Sequence, residues 1–174
     1  IRFYKEPSQI NYPVVQGADN DLYLHKTFSA NENTLGAIFV DAEASSDFTD
    51  KNTIIYGHRM KDGSMFRKLE EYKDEDFWKE NPYFYIYTPD GREITYKIYS
   101  VGQVLDTSDT YLTSFASDEE YQTFLDMTMK EADYDTGVKV TTDDTVVTLS
   151  TCTAASDEHR FVVRGVKEKE VELQ

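Results

Sequence analysis

The chain has 174 residues, 39% of them hydrophobic and 14% aromatic, with 13 Tyr and 10 Phe. That suffices for one domain with a real core, is short for two, and is too apolar for disorder. A formal net charge of -15 argues against a nucleic-acid or anionic-membrane surface, because either partner would repel the chain.

The single cysteine permits no internal disulfide, and no window reaches the roughly 18 apolar residues of a membrane helix. No signal-peptide pattern opens the sequence, and the start at Ile1 without Met suggests a trimmed piece whose export signal or anchor was removed.

In chain order, residues 1–12 are mixed and polar, and Tyr12-Pro13 leads into the apolar pair Val14-Val15. A polar turn over 17–21 precedes one possible helical turn over 21–26, where His25 sits among ordinary surface residue types. A turn over 31–33 leads to a near-continuous apolar run over 35–41, suited to a buried strand. After a polar loop, the β-branched and apolar run 53–56 predicts another strand, with Gly57 releasing the backbone so that His58 reaches a rim or loop.

Residues 61–63 read as a turn, and Ser64 as the N-cap of a helix carrying Phe66, Leu69 and Tyr72, three apart. A second helical turn over 76–79 is stopped by Asn81-Pro82. Strands over 83–88 and 92–105 flank Pro89-Asp90-Gly91 and predict a hairpin.

A polar loop over 106–114 has Tyr111-Leu112 at its centre. Ser117 and Glu120 form a capping box for a helix whose stripe is Tyr121, Phe124, Leu125 and Met129. Asp143-Asp144 turns the chain into a strand from Thr145. A closing strand spans 160–166, and residues 167–174 alternate charge and fade out. Seven or eight strands with two or three short helices, without βαβ alternation, predict a mostly β single domain, closed or nearly closed into a barrel.

The chemistry centres on three residues at predicted strand edges. Cys152 ends the run Thr145-Val146-Val147-Thr148-Leu149-Ser150-Thr151, His58 ends the 53–56 strand, and Arg160 opens the last one. A thiolate attacks carbonyls, and an imidazole can lower the thiol pKa or give a proton to a leaving amine. A guanidinium stays charged and can stabilise an oxyanion. Thr151 and Ser150 could add a hydroxyl or shape the pocket.

His159 is a rival base, but strand neighbours face opposite ways, so only one of His159 and Arg160 can look into such a site. Each residue also has a bland counterpart: a core cysteine, a loop histidine, a surface arginine. No G-x-S-x-G elbow, close zinc-ligand spacing, EF-hand or P-loop appears, so neither a serine nucleophile nor a metal or other cofactor is expected.

Two segments carry a resemblance. Thr148-Leu149-Ser150-Thr151-Cys152 matches the T-L-x-T-C signature of sortases, the cell-wall transpeptidases of Gram-positive bacteria. The segment from Asn52 through Ile54-Ile55-Tyr56-Gly57-His58-Arg59 to Met65-Phe66 looks like the histidine region of class B sortases. Tyr12 to Gln16, Asn20, Tyr23-Leu24, the run Leu35-Gly36-Ala37-Ile38-Phe39 and the helix from Ser117 also resemble that class.

The resemblance implies an eight-stranded sortase β-barrel with a helix inserted before the cysteine strand. Cys152 would be nucleophile, His58 acid/base and Arg160 transition-state stabiliser. It further implies cleavage of an N-P-x-T-N or P-x-T-G sorting signal after Thr, a thioester on Cys152, and transfer to a peptidoglycan amine. By position, Asn20, Leu24, Tyr56, Tyr111, Leu112, Ser150 and Thr151 resemble substrate-side residues.

The domain would act on the extracellular face of the cell membrane, held by an N-terminal anchor removed from this chain. Thr153-Ala154-Ala155-Ser156 fits no one substrate pattern, and the Asp-Pro-aromatic lid of pilin-polymerising sortases is missing near the N-terminus. The alternatives are a cysteine peptidase that only hydrolyses, a pilin polymerase, and a surface-binding module that has lost its chemistry.

Overall fold

The computed structural model describes residues 11–24, 26, 36–60, 65–152 and 158–174, with Cys152 described by its backbone. Seven strands form one sheet: β1 (Val14–Gln16), β2 (Ile38–Val40), β3 (Asn52–His58), β4 (Tyr83–Tyr87), β5 (Arg92–Leu105), β6 (Val146–Cys152) and β7 (His159–Glu172). Their order across the sheet is β1-β2-β3-β6-β7-β5-β4. β1 runs parallel to β2 and β3 parallel to β6, and the other pairs are antiparallel.

The eight-stranded barrel is thus corrected to seven strands among the described residues. β1 and β4 are the two edges, and residues of both line a cavity of about 780 Å³. The sheet curls until its edges face each other across that cavity, without a ladder between them.

The 14-residue strands β5 and β7 can bend this far because their pairing shifts register twice, at Thr95/Tyr96 and at Ile98/Ser100. β7 runs well past the 160–166 span expected for it. Its polar end is held by ion pairs from Glu170 to Arg92 at 2.8 Å and to Lys167 at 2.6 Å, so side-chain polarity there marks solvent exposure rather than a strand end.

Ile38, Ile55, Val147, Leu149 and Val163 pack inside the curl with Phe66, Leu69 and Tyr72 of a 3₁₀ helix, Phe66–Lys73. The strict spacing of three in the sequence is the period of a 3₁₀ helix, whose side chains at i and i+3 eclipse. Its expected cap, Ser64, and the turn over 61–63 lie outside the described residues. The short helix α1 (Glu75–Glu80) follows, capped by Asp74.

On the outer face, α2 (Asp118–Lys130) packs Tyr121, Phe124 and Leu125 against Tyr99, Val146 and Val166. Ser117 accepts from Glu120 N at 3.2 Å as the capping box requires, while the Glu120 carboxylate reaches one residue further back, to Ala116 N. Met129 does not belong to the stripe: it is 39% exposed, and Thr128 is buried in its place. Position 7 of a helix lies about 20° off the stripe and position 8 about 80° off, which decides between them.

Candidate active site

The strand β3 does not end at Gly57 but continues through His58. Gly57 is required by packing: a Cβ there would meet the Phe66 ring at 2.6 Å. Because β3 and β6 pair in parallel register, Tyr56 lies beside Ser150 and His58 beside Cys152. The β6–β7 ladder runs to Ser150↔Val162, and Cys152 and Arg160 each lie two residues beyond that last pair. The three strands thus bring the three expected catalytic positions to one end of the sheet.

His58 is held from the side. Its Nε2 lies 2.8 Å from the Leu24 carbonyl oxygen, which can only accept, so the proton is on Nε2. Nδ1 is then the ring nitrogen left to exchange protons. Gly36 makes the approach possible. Its φ is +66°, and a Cβ there would lie 2.5 Å from Leu24 O, 2.7 Å from Tyr23 O and 3.0 Å from His58 Cδ2.

Arg160 is mostly covered, with its Nη1 donating to the His159 carbonyl at 3.0 Å and Nη2 3.9 Å from Asp106 Oδ2. Its neighbour His159 is exposed. His25 and residues 153–157 lie outside the described residues.

The expected substrate-side residues divide into groups. Tyr56 and Tyr111 stack with centroids 6.2 Å apart, and the Tyr111 hydroxyl shares a hydrogen bond with Ser150 Oγ at 2.8 Å. Leu112, next along, is 47% exposed. These residues form one wall leading toward His58.

Asn20 meets the same face through Asp41: Asn20 Nδ2 and the Tyr56 hydroxyl each donate to Asp41 Oδ2 at 3.3 Å, and Asn20 Oδ1 accepts from Ala42 N at 2.7 Å. Leu24 contributes its carbonyl to His58. Thr151 faces away from this wall. It is buried, its Oγ1 accepts from Phe161 N at 2.9 Å, and it lines a cavity of about 170 Å³ with Arg59, Glu70, Gln103 and Arg160.

In that cavity burial pushes Glu70 up, but Arg59, Lys73 and Arg67 outweigh it and hold its carboxyl below the ordinary 4.5. Arg59 and Arg67 lie at 3.0 Å from Glu70 and Lys73 at 3.3 Å. The larger cavity of about 780 Å³ between β1 and the β4–β5 hairpin includes none of these groove residues.

Four residues around the site carry no site role in the sequence pattern: Gly36, Asp41, Asn52 and Arg164. Arg164 sits inside the apolar run from Phe161 to Val166 that predicts a strand, where nothing but its charge marks it. It is fully buried, and desolvation pulls its pKa below the ordinary guanidinium value.

A family model described as a sortase domain matches residues 6–168. Sortase B of Listeria monocytogenes is 38% identical over 162 residues, which are 91% of this chain and 65% of that protein. Sortase B of Staphylococcus aureus is 34% identical over 152 residues, 87% of this chain and 62% of that protein. The chain therefore spans less than two thirds of the length of these two relatives.

Among solved structures, a Staphylococcus aureus sortase B–substrate complex superposes with a TM-score of 0.88 at 32% identity, covering 94% of this chain and 76% of that one. Clostridium perfringens sortase B superposes with a TM-score of 0.85 at 32% identity, covering 94% of this chain and 90% of that one.

Proposed function

The chain belongs to the sortase family, and we propose that it is a class B-type cysteine transpeptidase that anchors surface proteins to the cell wall. The observation that carries this reading is the parallel register of β3 and β6, which sets His58 beside Cys152 while Leu24 fixes the imidazole.

In the first step the Cys152 thiolate attacks the carbonyl carbon of the Thr in a sorting signal, and Arg160 stabilises the oxyanion. The C–N bond then breaks, the leaving amine takes a proton from His58, and a thioester remains on Cys152. In the second step an amine of peptidoglycan or its precursor attacks the thioester, gives a proton to His58, and releases the thiolate.

The sorting signal, of N-P-x-T-N or P-x-T-G kind, lies along the wall of Tyr56, Tyr111, Leu112 and Ser150. The solved complex of Staphylococcus aureus sortase B with a substrate supports a peptide partner of this kind. The domain works on the extracellular face of the membrane, tethered N-terminally. Among the described residues no helix is long and apolar enough to cross a membrane.

The test offers labelled sorting peptides with and without triglycine or a diaminopimelate-type stem peptide. Amine-dependent ligation product is the expected result. Release of acid alone, unchanged by amine, would assign a hydrolysing peptidase. Cys152→Ala should abolish cleavage, and Arg160→Ala should reduce it by ~100-fold or more, the scale for losing an oxyanion donor. His58→Ala should be comparably damaging, whereas His159→Ala and His25→Ala should be mild.

A further inference from the structure

A buried polar cluster lies behind the groove wall, and none of the steps above uses it. Arg164, with no exposed surface, donates from Nη1 to Ser100 Oγ at 2.9 Å and from Nη2 to Thr110 Oγ1 at 2.7 Å and Glu131 Oε2 at 3.2 Å. Asn52, equally buried, donates from Nδ2 to the carbonyls of Thr110 at 3.1 Å and Leu112 at 2.8 Å, while its Oδ1 accepts the Thr148 hydroxyl at 2.8 Å. Both residues grip the same 3₁₀ turn, Asp109–Tyr111, whose one buried residue is Thr110.

Burying a guanidinium is costly, and a well-packed apolar side chain in its place is often neutral or stabilising. Arg164 Nε is buried with no hydrogen-bond partner among the described residues, which adds to that cost. An arrangement that costs stability and holds one short turn is best understood by what the turn presents. It presents Tyr111, bonded to Ser150 and stacked on Tyr56, and Leu112, half open to solvent. Arg164 holds the side chain of Thr110, and Asn52 holds the main chain on either side of Tyr111.

We propose that Asn52 and Arg164 are positioning residues for peptide recognition, a clamp that fixes the Tyr111–Leu112 wall from inside the protein. This rests on the transpeptidase reading. Loosening the clamp lowers the fraction of molecules whose wall is set for peptide, so KM rises in inverse proportion to that fraction while the chemistry on bound peptide is unchanged.

Thr110→Val keeps the shape of Thr110 and removes the acceptor for Arg164, and Thr110→Ser keeps the acceptor. With a sorting peptide that the wild type cleaves, Thr110→Val should raise KM roughly tenfold with kcat held within about twofold, and Thr110→Ser should stay near wild type. Alkylation of Cys152 by iodoacetamide should proceed at the wild-type rate in both. In a Tyr111→Ala background, Thr110→Val should have no further effect on KM, because the wall it sets is gone. Should Thr110→Val fail to fold, Glu131→Gln weakens the same guanidinium from its solvent side and should raise KM by about threefold.

Unchanged KM, a matching fall in kcat with slower alkylation, or additive effects in the double variant would overturn the clamp. A wild type that cleaves no sorting peptide would instead overturn the transpeptidase reading, so the two failures are distinct.

Discussion

Gly36→Ala tests how the imidazole is held. At φ +66° an alanine carries the left-handed cost of roughly 1–2 kcal/mol. Its Cβ would also fall 2.5 Å from Leu24 O and 2.7 Å from Tyr23 O, both main-chain atoms that cannot turn away as a side chain would. Ala37 N already bonds Tyr23 O at 2.9 Å, so relief must come from moving the Leu24 carbonyl off His58 Nε2. A hydrogen bond to a group that becomes charged is worth about 1.5–3 kcal/mol, which converts to a loss of roughly 10–100-fold in kcat/KM.

Gly137→Ala is the control: its φ is +69°, yet nothing lies within 4 Å of its added Cβ. Each variant should lose several degrees in a thermal melt, about 2–4 °C per kcal/mol for a chain this size. Peptide-cleavage kinetics should then separate them, with Gly137→Ala near wild type. Equal activity in the two variants would refute the claim that Gly36 sets the Leu24–His58 contact.

Two further outcomes are expected. Tyr111→Phe removes the hydroxyl that meets Ser150 at 2.8 Å; a neutral hydrogen bond of about 1 kcal/mol corresponds to a KM raised roughly fivefold in steady-state peptide cleavage. Glu70→Gln tests the cationic ring of Arg59, Arg67 and Lys73. Because Glu70 titrates below its ordinary 4.5 in the folded chain, its stabilisation is present above that pH and is lost as pH falls through the folded value. The variant should therefore melt below wild type near neutrality and converge with it in acid. A difference that does not shrink as the pH falls below 4.5 would contradict the ion-pair account.

Much of the candidate site was legible because its residues are marked locally in the sequence. The T-L-x-T-C run sits at the end of β6, and His58 and Arg160 sit at the ends of their own strands. Their meeting was not legible from spacing alone. It depends on β3 and β6, 94 residues apart at His58 and Cys152, pairing in parallel register, a long-range choice that no local pattern encodes.

The Phe66–Lys73 helix was legible as a helix, and its spacing of three held the 3₁₀ period in plain view. Met129 failed as a core residue because the helical period favours Thr128. β7 outran its apolar run because an exposed ladder tolerates charge on either face. Arg164 was hidden for the opposite reason: it lies in an apolar run, and a buried charge is recognised only by its partners, Ser100, Thr110 and Glu131, which are distant in sequence.

The most direct test of the central claim is mass spectrometry of the protein quenched during turnover of a sorting peptide drawn from a cleavage-screened library. A transpeptidase acting through Cys152 gives an adduct equal to the peptide's acyl portion through Thr, located on Cys152, absent in Cys152→Ala and discharged by added amine. An adduct on another residue, or undiminished cleavage by Cys152→Ala, would contradict it.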